Sequence, residues 1–405
     1  HERLVGSEMC IRDRNYIYIG SSRPESITKE LLDMGSIVNF AGNTLQQALL
    51  TGFAKHVKDM KVITSWGIST YPKVKRLFFS RRKVQDTVAD DYIYVGAVNL
   101  PFVNLISRFI RTRRELKRML SKSESNIVVV YEVHTPFMLA AVSLRKHIDK
   151  ICLIVPDLPE FMSAPGSKLK LFLKSIDKKL INKCIGKIDK FVLLSDLMKE
   201  RLPLEGKECL LMEGIFQNNQ NMEAKPKEQY KTIMYTGGIY WRRGTDMLLD
   251  AFQQISDPNY RLWIRGNGDM EDEIKKRSKE DPRIIYFPPM ERERLLELER
   301  KATVMINPTP ANLDFTKYFF PSKTMEYLAS GTPTIMFRLG CMPKEYDSYL
   351  FYVEDNTVES LRDKIIEVCE KTQEELNAFG TRAQEFILTK KTPEVQCGRI
   401  IDMLI

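Results

Sequence analysis

TIMYTGGIYWRRGTDMLL, residues 232–249, decides the fold. Residues 232–235 read as a short strand, Gly237 and Gly238 follow, then a basic pair, then a helix over 246–254. The same strand–turn–helix texture continues downstream. A strand at 261–264 runs into the GNGD turn (266–269) and a charged helix. Strands at 284–287 and 304–307 flank a helix at 291–301, and a helix starting near Ser322 precedes a strand at 334–337. Upstream the pattern is the same. YIYIG (16–20), 62–65, IVVVY (127–131), ICLIV (151–155), FVLL (191–194) and 209–212 read as strands, with helices at 44–56 and 138–147. IVVVY is a continuous β-branched run of the kind that forms parallel strands buried on both faces. Between the halves, QNNQNMEAKPKEQ (217–229) is polar and aperiodic and reads as a linker. Repeated βα units predict an α/β protein of two doubly wound Rossmann-like domains facing across a cleft and joined near residue 220. Ligands in such sheets bind beyond the carboxyl ends of the strands, so the cleft is the expected site.

The bulk numbers agree with two domains. The chain has 405 residues, 43% hydrophobic and 10% aromatic, enough to bury real cores. No stretch approaches the roughly 20 apolar residues of a membrane-spanning helix, and the start carries no secretory pattern. The seven cysteines are scattered with no CxxC pair, which argues against zinc and redox motifs and fits a reducing cytoplasm. The net charge of +9 is uneven: residues 15–225 hold 33 Lys+Arg against 21 Asp+Glu, and residues 226–405 hold 26 against 29. The N-terminal half is therefore the one expected to face something anionic. Within residues 1–14, LVGSEMCIRDR resembles a translated sequencing adaptor. These residues read as a non-native segment or a disordered arm, which leaves the native start open. The expected domains are 15–220 and 221–388, with a helix at 389–405 packing back on the first.

Two constellations carry chemistry. In the first, Gly237 and Gly238 let the backbone approach a diphosphate closely, a helix N-terminus follows, and Arg243 aims a permanent cation at the same spot. Alone, these residues equally fit a tight βα turn with solvated arginines. The second is NPTPANLDFTKYFFPSKTMEYLASGTPTI, residues 307–335. A proline-containing loop leads to Ser322, which is expected to N-cap the next helix. Lys323 then stands in the first turn, where the helix dipole disfavours a cation, which suggests an anion shared between dipole and ammonium. Glu326, one turn further, can accept hydrogen bonds from ribose hydroxyls. Gly331 closes the helix and Pro333 prevents continuation. A capped core helix with surface charges is the plainer reading. The two motifs together, at strand ends of one domain, supply what a nucleotide diphosphate needs.

This arrangement resembles the retaining, two-Rossmann-domain (GT-B-type) glycosyltransferases of family four. The likeness extends over about residues 15–400 in architecture and is specific mainly over 232–335. It implies that Arg243 occupies the place of the family's diphosphate-binding Lys, and that Glu326 is the second Glu of a paired motif and holds the ribose. Two departures stand out. Gly238 replaces the usual Arg, and Tyr318 replaces the first Glu, eight residues before Glu326. PSK-x-x-EY-x-ASG-x-P is the variant of a subset of bacterial polysaccharide enzymes. Lys323 would then supply the missing cation, and backbone around Phe319, Phe320, Pro321 and Ser322 would meet the donor sugar. In the first domain, AGNTLQ (41–46) resembles the family's first-helix segment near the acceptor, placing Asn43 there. EVHTP (132–136) and PDLPE (156–160) follow strands, so His134 and Asp157 are expected to point into the cleft against the donor sugar. A structural hydrogen-bonding histidine is the plainer alternative.

RFIRTRRELKRM (108–119) and KLKLFLKSIDKKLINK (168–183) combine basic and apolar residues at helical spacing. Such helices lie on anionic lipid or present a solvated face. No nucleic-acid module appears. The leading expectation is therefore hexosyl transfer from a nucleotide-diphosphate sugar to a saccharide or lipid-linked acceptor in cell-surface polysaccharide synthesis. It would take place in the cytoplasm or at the inner membrane face, with no permanent cofactor and no metal. A nucleotide-sugar epimerase, and a non-catalytic sugar-nucleotide-binding partner of an assembly complex, are the alternatives.

Overall fold

The computed structural model describes residues 14–86, 89–161, 168–218 and 225–405. Residues 1–13 and the junction placed near 220 lie outside the described residues. The chain divides into two compact units, one running to Ile215 and joined by Pro393–Ile405, the other Phe216–Thr392.

The first unit is built on eight strands. They are β1 (Arg14–Gly20), β2 (Lys61–Thr64), β4 (Arg82–Asp86), β5 (Ala89–Tyr94), β7 (Ser125–Tyr131), β8 (Lys150–Val155), β9 (Lys190–Leu193) and β10 (Glu208–Leu211). β3 (Phe78–Phe79) and β6 (Ala97–Val98) form a separate antiparallel pair. The sheet order is β10-β9-β8-β7-β1-β2-β5-β4, parallel except for β4 against β5. Ile127, Val128, Val129 and Val130 are wholly buried, as a β-branched strand covered on both faces should be. Its helices are α1 (Glu25–Asp33), α2 (Phe40–His56), α3 (Val103–Met119), α4 (Thr135–Ser143) and α5 (Lys168–Ile185). β1 opens at Arg14. Arg14 pairs with Ser125 in the sheet, and its guanidinium donates to Leu404 O at 2.9 Å.

The second unit carries β11 (Lys231–Gly238), β12 (Tyr260–Asn267), β13 (Ile284–Phe287), β14 (Val304–Asn307), β15 (Thr334–Phe337) and β16 (Phe351–Val353). All pairs are parallel, in the order β13-β12-β11-β14-β15-β16. Counted within the unit this is 3-2-1-4-5-6, the doubly wound Rossmann order, whose strand order reverses between β11 and β14. The intervening helices are α6 (Thr245–Gln253), α7 (Glu271–Glu280), α8 (Arg292–Lys301), α9 (Ser322–Ala329), α10 (Val358–Cys369) and α11 (Gln373–Lys390). The last helix, α12 (Pro393–Leu404), belongs to the first unit, where Cys397 Sγ reaches Leu49 O on α2 at 3.3 Å.

Candidate functional site

The crevice outside a switch point is where an open α/β sheet binds ligands. In the second unit the ends of β11 and β14 flank it, and both sequence constellations fall there. β11 ends in Gly237 and Gly238, and α9 follows β14. One tyrosine fastens them together. The Tyr327 hydroxyl accepts from Thr236 N–H at 3.1 Å and donates to Thr236 O. This ties the second turn of α9 to β11 at the residue before its two glycines.

Ser322 is not the N-cap. α9 begins at Ser322 itself, Pro321 holds the cap position, and no side chain caps the helix. The proline before it carries the extended backbone that precedes a helix (φ −76, ψ 92), so Ser322 enters one position further in. Its side chain is exposed. The consequence favours a ligand: Thr324 N–H is taken by Pro321 O at 2.8 Å, while no side-chain oxygen competes for the other leading amides. Lys323 and Glu326 are brought together, with Nζ 2.6 Å from Oε2 and both side chains partly exposed. Gly331 closes the helix at φ +74.

Arg243 lies in a 3-10 turn, Trp241–Arg243, that precedes α6. Its guanidinium stands 4.8 Å from the Phe319 ring and 5.5 Å from Phe315, so the loop before α9 holds it by cation–π contact. Gly244 makes this approach possible. It sits at φ +75, and a Cβ there would stand 2.0 Å from Pro308 O, so only glycine lets the two loops touch. Phe320 is 4% exposed and packs on Tyr346 at 5.5 Å. Pro321 and Tyr318 are buried as well. At Phe320 and Pro321 the protein can therefore offer a sugar backbone groups, not side chains. In the GNGD turn, Asp269 Oδ1 accepts from Trp241 N–H at 3.3 Å, which ties that turn to the Arg243 turn.

Sequence reasoning passed over Glu299. It is fully buried on α8 and accepts from Thr236 Oγ1 at 2.9 Å. Burial pushes its carboxyl up to about 7, against the pull of Lys323. The signal was present: Glu299 stands four residues after Leu295 on the buried face of LLELER, an acid where an apolar residue is due.

The first unit reverses its strand order between β1 and β7, and the N-terminal candidates gather at that point. The Asn43 amide engages the backbone at Arg23. Its Oδ1 accepts from Arg23 N–H at 2.8 Å and its Nδ2 donates to Arg23 O at 3.0 Å, clamping the loop after β1. His134 immediately precedes α4, its ring tilted against that of Phe137 with centroids 4.4 Å apart. Its Nδ1 is buried without a partner. Burial, helped by the Arg108 cation, drives its pKa down to about 3, so the ring stays neutral. Asp157 is exposed just past β8, the neighbour of β7. Glu132 is a second residue missed. It opens the EVHTP turn at φ +74, and burial first, then the Asp157 charge, raises its pKa, while Arg108 and Arg23 lower it. A non-glycine residue at positive φ is uncommon, and such strained backbone clusters at functional sites.

Phe102, just before α3, and Ile106 and Ile110 on it are 55–62% exposed, with Arg113, Arg114 and Lys117 further along the helix. Among the described residues no helix is long and apolar enough to cross a membrane. Also among them, no group of three or more His, Cys, Asp or Glu side chains could hold a metal ion.

Residues 230–371 match the family model described as "Glycosyl transferases group 1". That span contains every residue named above at the β11–β14 switch point. No curated protein sequence matches the chain. Among solved structures, a sucrose-phosphate synthase from Thermosynechococcus elongatus is similar with a TM-score of 0.61 at 12% identity, covering 96% of this chain and 98% of that one. The lipopolysaccharide outer core galactosyltransferase WaaB in its apo form gives 0.59 at 14%, covering 96% and 99%. Anabaena HepE in complex with UDP gives 0.59 at 11%, covering 96% and 99%. Likeness at such identities shows the fold: this is the α/β, GT-B-type architecture with two Rossmann-like domains.

Proposed function

We propose that this protein is a glycosyltransferase that moves a hexosyl group from a nucleotide-diphosphate sugar to a saccharide or lipid-linked saccharide acceptor. The observation that carries the reading is the junction of α9 with the end of β11. There an uncapped helix N-terminus, the Lys323 ammonium and the Gly237–Gly238 turn are held within one hydrogen-bonded frame. As the diphosphate departs it gains negative charge. Groups already oriented toward that charge stabilise the transition state more than the ground state. In this reading Lys323, Arg243 and the leading amides of α9 meet the diphosphate, Gly237 and Gly238 let it approach the backbone, and Glu326 holds the ribose. These cations do the charge neutralisation, so no metal ion is expected. His134, Asp157 and the backbone at Phe320 and Pro321 are the proposed contacts for sugar or acceptor, with His134 acting as a neutral hydrogen-bonding group.

The finer parts of the reading are retention of anomeric configuration, membership in family four, and a place in bacterial cell-surface polysaccharide synthesis. The similar structures include a lipopolysaccharide galactosyltransferase, and one holding UDP, which supports both the pathway class and the donor class. The α3 face, apolar at Phe102, Ile106 and Ile110 and basic further along, suits the surface of an anionic membrane, at about 1 kcal/mol per basic residue near it. A lipid-linked acceptor at the inner face of the cell membrane would be reached from there.

The test is donor turnover. Nucleoside diphosphate released from a nucleotide sugar in the presence of glycan acceptors, with the anomeric configuration of the product read by NMR, supports the reading. A product of inverted configuration would remove the retaining assignment. Tyr318, buried where the resemblance expects a Glu, favours one rival, a non-catalytic sugar-nucleotide-binding partner. Donor binding with no release across a broad acceptor panel would select it.

A further inference from the structure

Glu299 is the buried acid that the donor site, as described, leaves without a role. It lies on α8 beside Leu295, Leu296 and Leu298, and none of its surface reaches solvent. Oε1 accepts from Thr236 Oγ1, whereas Oε2 is buried with no partner. A carboxylate in that setting carries an uncompensated desolvation cost. The neutral acid does not, and its proton can be donated to Thr236 Oγ1. The charged groups that face it are Lys323 and Glu326 from α9 and Arg292 from α8. The hydrogen-bonding neighbours are Thr236 on β11 and the Tyr327 phenol on α9.

Thr236 is the pivot. Its N–H and C=O both engage the Tyr327 hydroxyl, and its own hydroxyl lies 2.9 Å from Glu299 Oε1 and 3.3 Å from Tyr327 Oη. Gly237 and Gly238 follow it directly. Tyr327 adjoins Glu326 and lies one turn from Lys323. The carboxyl of Glu299 is thus one hydroxyl away from both halves of the proposed diphosphate and ribose site.

We propose that Glu299 is a positioning residue of the donor site, whose neutral acid holds the Thr236–Tyr327 link while its carboxylate draws Lys323 inward and repels the incoming diphosphate. The inference rests on the nucleotide-diphosphate reading above. Because linkage is reciprocal, an anion that binds better to the neutral form must take up a proton on binding. Burial places the titration near neutrality, at about 7. Affinity for an anionic donor therefore falls as the pH rises through that range.

The experiment is isothermal titration of the full chain with UDP-glucose, a diphosphate diester whose charge is constant over the range used. Titrations run at about pH 6 and about pH 8, in buffers of differing ionisation enthalpy. The wild type should bind on the order of fivefold more weakly at the higher pH and take up protons in between. Glu299→Gln, a neutral isostere, should bind with no such pH-dependence and no uptake. Thr236→Val removes a hydrogen bond that both forms can make and that the charged form makes more strongly, so its pH midpoint should move upward. That arm decides the matter even if the Gln variant fails to fold. Wild-type pH-dependence that survives unchanged in Glu299→Gln, or a Thr236→Val midpoint that does not move, overturns the inference alone. A wild type that binds none of UDP-, ADP- or GDP-glucose at either pH overturns the donor reading with it.

Discussion

Replacing Glu299 by Gln should flatten the dependence of stability on pH, with a sign set by burial. In the folded protein the carboxyl is pushed up to about 7, against an ordinary value of 4.5. A folded-state pKa raised above the unfolded one contributes stability that is fully present below the unfolded value. That stability is lost as the pH rises through the folded value. The wild type should therefore lose stability from about pH 4.5 and reach its plateau just above pH 7. The gap of roughly 2.5 pH units corresponds to about 3 kcal/mol. Gln cannot ionise and pays a constant offset for its amide, so only the change with pH is diagnostic. In a unit spanning Phe216–Thr392, about 3 kcal/mol should move the melting temperature by roughly 6–12 °C. Paired thermal melts followed by circular dichroism, in steps from about pH 5 to about pH 8, measure it. The melting temperature of the variant should gain on that of the wild type as the pH rises. Parallel curves, or a gap that grows toward acid, would refute the burial argument.

Three further outcomes follow from the same geometry. Lys323→Ala should weaken UDP binding about 10- to 100-fold, the loss of one charge-assisted contact of roughly 1.5–3 kcal/mol; calorimetry giving an unchanged Kd would remove Lys323 from the site. Gly244→Ala should destabilise the second unit by more than about 2 kcal/mol, since the left-handed backbone alone costs about 1–2 kcal/mol and the methyl would meet Pro308 O at 2.0 Å. The same change at Gly35, also at φ +75 but with open space around it, should cost only the backbone part, so equal urea midpoints for the two would contradict the contact. Ile106→Asp combined with Ile110→Asp should abolish co-sedimentation with anionic vesicles while leaving UDP binding intact, and vesicle binding that persists would detach α3 from the membrane.

Much of the fold is written in local pattern. IVVVY announces a buried parallel strand because a β-branched run suits a strand covered on both faces, and Gly331 marks the end of α9 because the position needs a left-handed backbone. What stays illegible depends on contacts distant in sequence. The β4–β5 edge pair escapes the reading because RKVQD is a charged segment that tertiary packing recruits, whereas α1, ESITKELLD, does carry an apolar face through Ile27 and Leu31 at i, i+4 spacing that was open to reading. Ser322 has the chemistry of a cap, but cap position is fixed by backbone entry, and Pro321 takes it. Lys323 and Glu326 could be placed near each other by their i, i+3 spacing. The partners that Asn43 bonds, the Arg23 backbone groups, lie 20 residues away. Glu299 was hidden for the same reason. Only the fold shows that Thr236, 63 residues earlier, receives it.

The most direct test of the central claim, that the junction of β11 and α9 holds a nucleotide-diphosphate sugar, is a thermal-shift screen of wild-type protein and Lys323→Ala against nucleotide sugars. Ligand at about 100 times its Kd stabilises the folded state by about 2.7 kcal/mol. At least one nucleotide sugar should therefore raise the wild-type melting temperature by several degrees, roughly 5–10 °C, with the shift largely lost in Lys323→Ala. A wild type that no nucleotide sugar stabilises, or one whose shift is untouched by Lys323→Ala, contradicts it.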